Sequence, residues 1–102
     1  MKQKLYSYLG FAKKSGNLVT GYNTCVFTMN KGKIKLLIIT EDISENTEKK
    51  IIKEAEKQRV TYRRYGSSDD ISQAVGTEGR SIFGITDLNF AQVILKEIDQ
   101  SK

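Results

Sequence analysis

The apolar residues near the start of the chain are spaced as they are on one face of an amphipathic helix. Between residues 2 and 14 they recur at i, i+3, i+4 and i+7, the pattern of a helix with one buried side. Lys13 and Lys14 stand in the last turn and Gly16 lies just beyond it, as is typical of a helix C-terminus. We therefore predict a helix over residues 2–14, whose buried side consists of Leu5, Tyr8, Leu9 and Ala12.

Short apolar runs and helical patterns alternate along the rest of the chain. The run IKLLIIT at 34–40 is almost continuously aliphatic, which favours a strand that is covered on both faces. The alternation of helices with short strands predicts an α/β domain, in which a small central sheet is packed between helices. The other predicted strands lie at 18–19, 60–65 and 81–85.

The remaining helices are predicted from polar residues that can accept hydrogen bonds at a helix N-terminus. One helix covers residues 21–31 and ends before Gly32, a second runs to about residue 58, a third follows residue 67, and the last follows residue 86. Residues 76–80 are predicted to form a polar loop. The candidate capping residues are Ser44 or Asn46 for the second helix, the stretch SSDD at 67–70 for the third, and Thr86 or Asp87 for the last.

The composition is that of one small domain. The chain has 102 residues, no proline, no low-complexity tract and no internal repeat, so we expect residues 1–102 to form a single domain, and nothing demands more than a monomer. No apolar run approaches the ~18 residues that cross a bilayer, and the N-terminus lacks the apolar segment of a signal peptide. A single cysteine, Cys25, suits a reducing compartment. We therefore expect a cytoplasmic protein without a membrane partner.

The positive charge is concentrated near the start of the chain. Residues 1–40 hold seven lysines and no acidic residue, whereas residues 41–102 hold 17 − 7 = 10 basic and all 12 acidic residues. Such asymmetry favours a polyanionic partner, nucleic acid before membrane. The alternative is a solvated basic face that serves solubility.

The sequence argues against catalysis. The chain has no histidine, the commonest general base and metal ligand, and no glycine-rich phosphate loop of familiar spacing. Asp42 and Asp87 follow predicted strands, where ligands gather in α/β proteins, but a carboxylate there more often caps the next helix. Cys25 stands in the middle of a predicted helix, where packing is expected rather than redox chemistry. We predict a protein that is not an enzyme and that holds no cofactor and no metal.

The stretch GYNTCVFTMNKG at 21–32 predicts a helix that begins with an uncharged, polar turn. A helix N-terminus exposes backbone N–H groups and the positive end of the macrodipole, which together bind phosphate. Gly21 would let a nucleic acid approach the backbone closely, and Asn23 can both donate and accept at a base edge. Alternatively, Gly21 only makes a turn and Asn23 only helps to begin the helix. The spacing supports both interpretations equally.

Several segments together resemble a known family. The stretches LGFAKKSGNLVTG (9–21), KIKLLIITEDISENT (33–47), AVG (74–76) and SIFGITD (81–87) are similar to the YlxQ-type bacterial proteins. These belong to the kink-turn RNA-binding superfamily, which includes archaeal ribosomal protein L-seven-Ae and L-thirty-e-like proteins. The resemblance covers essentially the whole chain. It implies a three-layer α-β-α sandwich with a small mixed four-stranded sheet, and non-catalytic binding of kinked RNA that carries tandem sheared G·A pairs.

The resemblance also implies which residues contact RNA. The contact helix of the family begins with a glycine, any residue, an asparagine and a glutamate, and a lysine follows three positions later. A second contact element is the loop after a small helix, in which many members carry an apolar residue that packs against an extruded base. The corresponding residues of this chain are Gly21, Tyr22, Asn23, Thr24 and Phe27 in the helix, Lys31 near its end, and Gly76, Thr77 and Arg80 in the loop.

Three of these positions depart from the family pattern. Thr24 replaces the glutamate and is shorter and neutral, Phe27 replaces the lysine, and Thr77 stands where many members are apolar. Phe27 cannot pair with a phosphate, but it could stack on a base, pack in the core or lie partly exposed. We expect weaker or differently tuned RNA binding, in which the lysine-rich first 40 residues supply a larger share of the affinity and the affinity falls steeply with salt.

Two functions from different classes follow. The first is non-catalytic binding of structured, kink-turn RNA, with ribosomal RNA among the candidates and with a role in translation. In that function Asn23 would bond a purine edge, while Lys31 and Arg80 would hold phosphates. The alternative is a protein-interaction module of the same fold that has lost specific RNA recognition, in which Phe27 would contact a protein.

Overall fold

The computed structural model describes residues 2–100, which form five helices and four strands in alternation. The helices are α1 (Lys2–Lys14), α2 (Tyr22–Asn30), α3 (Glu45–Lys57), α4 (Ser68–Ala74) and α5 (Leu88–Gln100). The strands are β1 (Leu18–Thr20), β2 (Leu36–Ile39), β3 (Tyr62–Arg64) and β4 (Ile82–Ile85). All the predicted elements are present.

The four strands form one mixed sheet in the order β1-β4-β2-β3. β4 runs antiparallel to both of its neighbours, and β2 and β3 are parallel. Consequently β1, β2 and β3 all end at one edge of the sheet, where β4 begins, and we call this the carboxyl edge. The opposite edge, where β1, β2 and β3 begin and β4 ends, is called the amino edge.

Helices cover both faces of the sheet and make two separate cores. One core lies between the sheet and α1, α4 and α5, and the other lies between the sheet and α2 and α3. β2 shows the division directly: Leu36 and Ile38 face the first core, Leu37 and Ile39 face the second, and all four side chains are fully buried. This confirms the three-layer α-β-α sandwich with a small mixed sheet, and it explains why five of the seven residues in the run IKLLIIT are aliphatic.

The helix N-termini are set by side chains that accept from first-turn amides. The Ser44 hydroxyl accepts from the Thr47 amide at the start of α3, and the Ser67 hydroxyl accepts from the Asp70 amide at the start of α4. The Asp87 carboxylate accepts from the Phe90 amide (2.9 Å) at the start of α5. Of the alternatives left open by the sequence, the structure selects Ser44 and Asp87.

The three longest helices have 13 residues each, about two thirds of the ~20 that cross a bilayer. Within residues 2–100, no helix combines the length and the apolar character of a transmembrane span.

Candidate nucleic-acid interface

The carboxyl edge of the sheet brings three helix N-termini together. α2, α3 and α4 each follow a strand that ends at this edge, so all three begin there. The loop between α4 and β4 (residues 75–81) also returns to this edge, because β4 begins there. The two predicted contact elements, the start of α2 and this loop, are therefore neighbours in the structure although they are more than fifty residues apart in the chain.

The start of α2 differs from the other two in its chemistry. Gly21 is its N-cap, no side chain accepts from its first amides, and its first turn holds no acidic residue. In α3 and α4, by contrast, a serine caps the helix and two carboxylates stand in the first turn, where they offset the positive end of the helix dipole. Of these three helix N-termini, only that of α2 leaves its amides and its positive end for an external anion.

Arg80 lies directly over the start of α2. A Cβ atom on Gly21 would sit 3.0 Å from Nη1 of Arg80, which shows how closely the guanidinium approaches the helix N-terminus. Gly21 has φ 93° and ψ 156°, a backbone conformation that is essentially limited to glycine. Its amide donates to the Ile82 carbonyl (2.9 Å), so the chain is fixed to β4 as the helix begins.

The structure places Gly21 beneath Arg80 and not in open solvent. Gly21 is buried, so a nucleic acid does not reach its backbone in this conformation. The physical reason is that the missing side chain makes room for Arg80, which is itself exposed. In this conformation the exposed cation above Gly21 takes the place of an open backbone, and the role of Gly21 in RNA binding stays a prediction.

Two serines of α4 hold the backbone of Arg80. The Ser72 hydroxyl accepts from the Arg80 amide (2.9 Å) and donates to the Arg80 carbonyl (3.0 Å). The Ser68 hydroxyl donates to the same carbonyl (2.7 Å). Ser72 is almost completely buried, so its two bonds are partly shielded from water, whereas the Ser68 bond is exposed. Sequence reasoning missed both serines, although their i, i+4 spacing on a short helix was a usable signal.

An open cleft of about 230 Å³ lies between the starts of α2 and α3 and the loop before β4. Gly21, Tyr22 and Arg80 line it, as predicted for residues of one site. The start of α3 completes the wall, and this contribution was not predicted. The additional lining residues include Ile43, Ser44, Thr47 and Gly79.

Gly76 and Thr77 do not line this cleft. They border a separate, wider depression of about 670 Å³ on the other side of the loop, together with Asp69 and Glu78. The Thr77 amide donates to the Ser72 carbonyl (2.8 Å), which continues the anchoring of the loop on α4. The structure thus divides the predicted loop residues: Arg80 faces the start of α2, whereas Thr77 faces a depression that carries two carboxylates.

The exposed face of α2 presents Asn23, Phe27 and Lys31 at i, i+4 and i+8, in one row along the helix. Thr24 is exposed beside this row. Phe27 leaves 60% of its surface in solvent, so it does not pack in the core, one of the interpretations that the sequence left open. The Lys31 ammonium lies 4.6 Å from the centre of the Phe27 ring, a cation–π contact.

The residues considered for catalysis are occupied in structural roles. Both carboxylate oxygens of Asp42 accept from the Ser68 amide, at 3.1 and 3.2 Å, and Asp87 caps α5. The Cys25 thiol is buried and donates to the Val19 carbonyl (3.8 Å). Burial raises the pKa of Cys25 to about 12, so this thiol remains protonated near neutral pH.

Comparison with known proteins agrees with the resemblance seen in the sequence. Over 94 residues the chain is 28% identical to the RNA-binding protein YlxQ of Bacillus subtilis, covering 92% of this chain and 94% of that protein. Over 91 residues it is 32% identical to the RNA-binding protein YlxQ of Enterococcus faecium, covering 89% of this chain and 87% of that protein. The similarity to YlxQ-type proteins is confirmed.

Two solved structures share the fold. A protein of unknown function from Bacillus halodurans superposes with a TM-score of 0.90 at 26% identity, over 94% of this chain and 97% of that one. A 15.5 kD RNA-binding protein of Giardia lamblia superposes with a TM-score of 0.78 at 19% identity, over 97% of this chain and 88% of that one. The second likeness concerns the fold alone. Since residues 3–95 match its pattern, this chain belongs to the Ribosomal protein L7Ae/L30e/S12e/Gadd45 family.

Proposed function

We propose that this protein binds structured RNA without catalysis, and that its preferred target is a kinked duplex with tandem sheared G·A pairs. The observation that carries the proposal is the start of α2, whose first turn is uncapped and free of carboxylates and lies beneath the Arg80 guanidinium. Two curated relatives are themselves RNA-binding proteins. The target class that fits this proposal is ribosomal RNA. We propose that the protein binds it as a monomer in the cytoplasm.

The start of α2 and Arg80 would bind the RNA backbone together. Free amides at a helix N-terminus and a guanidinium both donate to phosphate oxygens, and the guanidinium can do so with two parallel hydrogen bonds. Arg80 is exposed and its backbone is held by Ser68 and Ser72, so its side chain can turn from Gly21 toward a phosphate at little cost in loop order. Tyr22 would form the wall of the cleft beside that phosphate.

The exposed row on α2 would read and hold the bases. The Asn23 amide can donate to and accept from the edge of a purine at once. Thr24 would add a single short hydrogen bond where the family pattern has a glutamate. Phe27 would stack on a base, because its ring is largely in solvent and every base offers a π face. Lys31, held above that ring, would contact a phosphate further along the strand.

The loop residues would serve the same RNA from the other side. Gly76 lets the chain turn with φ 77°, and Thr77 would meet an extruded base in the wider depression. The carboxylates of Asp69 and Glu78 in that depression repel phosphate, so we expect a base rather than backbone there.

The test is a titration of a kinked duplex and of a straight duplex of the same composition at moderate salt. The wild-type protein is expected to prefer the kinked duplex, and Asn23→Ala is expected to lose most of that preference. Asn89→Ala is the matched control, because Asn89 is also exposed and is also the second residue of a helix. Equal binding of both duplexes by the wild-type protein would contradict the proposal.

The exposed Phe27 supports a second candidate, the protein-interaction module. A ring with 60% of its surface in solvent offers apolar area for a protein partner to bury. Capture of partners from a lysate with and without ribonuclease separates the two functions. Partners that remain after ribonuclease treatment and disappear with Phe27→Ala would favour the interaction module.

A further inference from the structure

The amino edge of the sheet, opposite the start of α2, collects basic side chains from three different parts of the chain. α1, α2 and α3 all end at this edge, because each precedes a strand that begins there. Their last turns and the connections that follow carry seven positive charges. These belong to Lys13, Lys14, Lys31, Lys33, Lys35, Lys57 and Arg59.

Hydrogen bonds between the connections show that they form one surface. The Gln58 side chain donates to the Asn30 side chain (2.7 Å), which joins the end of α3 to the end of α2. The Lys35 amide donates to the Ile85 carbonyl (2.7 Å), and the Thr86 amide donates to the Asn17 carbonyl (2.9 Å). Every connection at this edge is thereby tied to a neighbour. Four strands at a spacing of ~4.8 Å give the edge a width of only ~14 Å.

The positive charges on this edge are available to a partner. Among residues 2–100, the ion pairs of the structure involve none of the seven, and all but the half-buried Lys13 are exposed. Three carboxylates belong to the same turns and connections: Glu54, Glu56 and Asp87. Two of them are engaged, since Asp87 accepts from the Phe90 amide and Glu56 accepts from the Tyr62 hydroxyl (3.1 Å). With 7 positive and 3 negative charges, this edge carries a balance of +4.

The carboxyl edge has the opposite charge. Seven carboxylates stand in its connections and in the first turns of α3 and α4, against three cations: the guanidinium groups of Arg64 and Arg80, and the Lys49 ammonium, which pairs with Glu45 (3.3 Å). The carboxylates are Glu41, Asp42, Glu45, Glu48, Asp69, Asp70 and Glu78. The start of α2 therefore lies in surroundings that repel a polyanion at long range, and general attraction to RNA has to come from elsewhere on the molecule.

We propose that the amino edge is a second RNA contact, which binds the phosphate backbone of a stem that flanks the segment held at the start of α2. The row Asn23, Phe27, Lys31 runs from one contact to the other. Eight residues of helix separate its ends by ~12 Å, roughly the rise of three to four base pairs of duplex. One RNA can therefore occupy both contacts. Six of the seven cations of the edge are flexible ammonium groups, which suits contact with the phosphate backbone without base selection.

This inference rests on the proposed function for the identity of the polyanion, and the experiment separates the two. The test variant is Lys33→Gln/Lys35→Gln/Lys57→Gln, and the matched control is Lys4→Gln/Lys50→Gln/Lys96→Gln, three exposed lysines outside the turns and connections of this edge. Binding of the kinked and the straight duplex is measured over a series of salt concentrations. Because both variants lose three positive charges, any difference between them reflects position and not net charge.

The test variant is expected to bind both duplexes more weakly by a similar factor and to keep the preference for the kinked one. The slope of log affinity against log salt should become shallower by about 2 to 3, since each phosphate contact contributes ~0.7–0.9. The control should keep the wild-type slope. If the test variant keeps the wild-type slope of log affinity against log salt, the inference is overturned. This holds whether or not Asn23→Ala loses the preference for the kinked duplex. Loss of binding to phosphatidylserine vesicles with unchanged RNA binding also overturns it, in favour of a membrane surface.

Discussion

Ser72 holds Arg80 by both of its backbone polar groups, with its hydroxyl accepting from the Arg80 amide at 2.9 Å and donating to the Arg80 carbonyl at 3.0 Å. A buried side chain on a short helix thus fixes the backbone of the cation that lies over the start of α2. The guanidinium is mobile only within the limits that this anchor sets.

Removing the anchor should affect both stability and binding. Ser72→Ala leaves a buried amide without its partner, which costs ~1–3 kcal/mol in the free energy of unfolding. We also expect weaker binding of the kinked duplex, because Arg80 is no longer held in place. Denaturant unfolding and an RNA titration measure the two effects. Ser68→Ala, which removes only one bond, should show a smaller effect on both, and an effect as large as that of Ser72→Ala would contradict this account.

The Arg80 side chain itself should matter for binding and not for folding. Arg80→Ala removes an exposed side chain with no ion pair in the described part of the chain, so the free energy of unfolding should change by less than about 0.5 kcal/mol. Loss of charge-assisted hydrogen bonds to phosphate should weaken RNA binding roughly 10- to 100-fold. Lys96→Ala serves as the control for loss of one charge. Equal RNA affinities of the two variants would remove Arg80 from the site.

Replacing Gly21 by alanine should distinguish the effect of backbone strain from the effect of displacing Arg80. Gly21→Ala and Gly16→Ala both place alanine at a positive φ, 93° and 80°, and each should lose ~1–3 kcal/mol of stability. Only the added Cβ at Gly21 meets Arg80, at 3.0 Å, whereas that at Gly16 meets nothing within 4 Å. Gly21→Ala should therefore weaken RNA binding and Gly16→Ala should not, as measured by titration well below the melting temperature. The same affinity for both variants would show that Arg80 adjusts freely.

The two exposed phenylalanines provide a matched pair. Phe27 on α2 and Phe11 on α1 leave 60% and 59% of their surfaces in solvent, so replacing either by alanine should change stability little. Phe27→Ala should lose ~1–3 kcal/mol of RNA binding free energy, the value of stacking on one base. Phe11→Ala should bind RNA as the wild-type protein does. If the two variants behave alike, Phe27 does not stack on RNA.

Cys25 should react with thiol reagents only through unfolding. Burial raises its pKa to about 12 from an ordinary value of 9.0, so the folded state retains the thiol proton. The contribution of this thiol to the free energy of unfolding is fully present below pH ~9, where the unfolded thiol is also protonated. It is lost as the pH rises from ~9 toward 12. Labelling at pH 8 should therefore be slow and should accelerate with denaturant in step with global unfolding. Rapid labelling of the folded protein would contradict the buried position.

The helices and strands were predictable because their signals are local. The i, i+3, i+4 spacing of α1, the aliphatic run of β2 and the capping residues Ser44 and Asp87 all stand within a few residues of the structure that they form. Phe27 was less predictable, because α2 is short and its core contact is made by Cys25 and Met29, which leaves an adjacent aromatic residue on the exposed side. The periodicity of nine residues did not distinguish these positions.

The candidate site was predictable only in part, because its geometry depends on the sheet topology. Asn23 was a candidate from the predicted helix start and the loop before β4 was a candidate from the resemblance, but the position of Arg80 over Gly21 follows from strand order. The positive charge of the amino edge also depends on the sheet topology, since Lys57 and Arg59 join Lys33 and Lys35 only when β2 and β3 pair in parallel. The sequence predicted positive charge near its start, and the structure places five of those seven lysines on the amino edge, opposite the start of α2.

The central claim, that the start of α2 beneath Arg80 receives the RNA, is tested most directly by nuclear magnetic resonance. The kinked duplex is added to the isotopically labelled wild-type protein, and the backbone amides and arginine side-chain signals are followed. The account predicts the largest shifts at the amides of Asn23 and Thr24 and at the Arg80 guanidinium, with the amides of α3 and α4 first turns little changed. Shifts that leave all three of these groups unmoved while RNA binds elsewhere would contradict it.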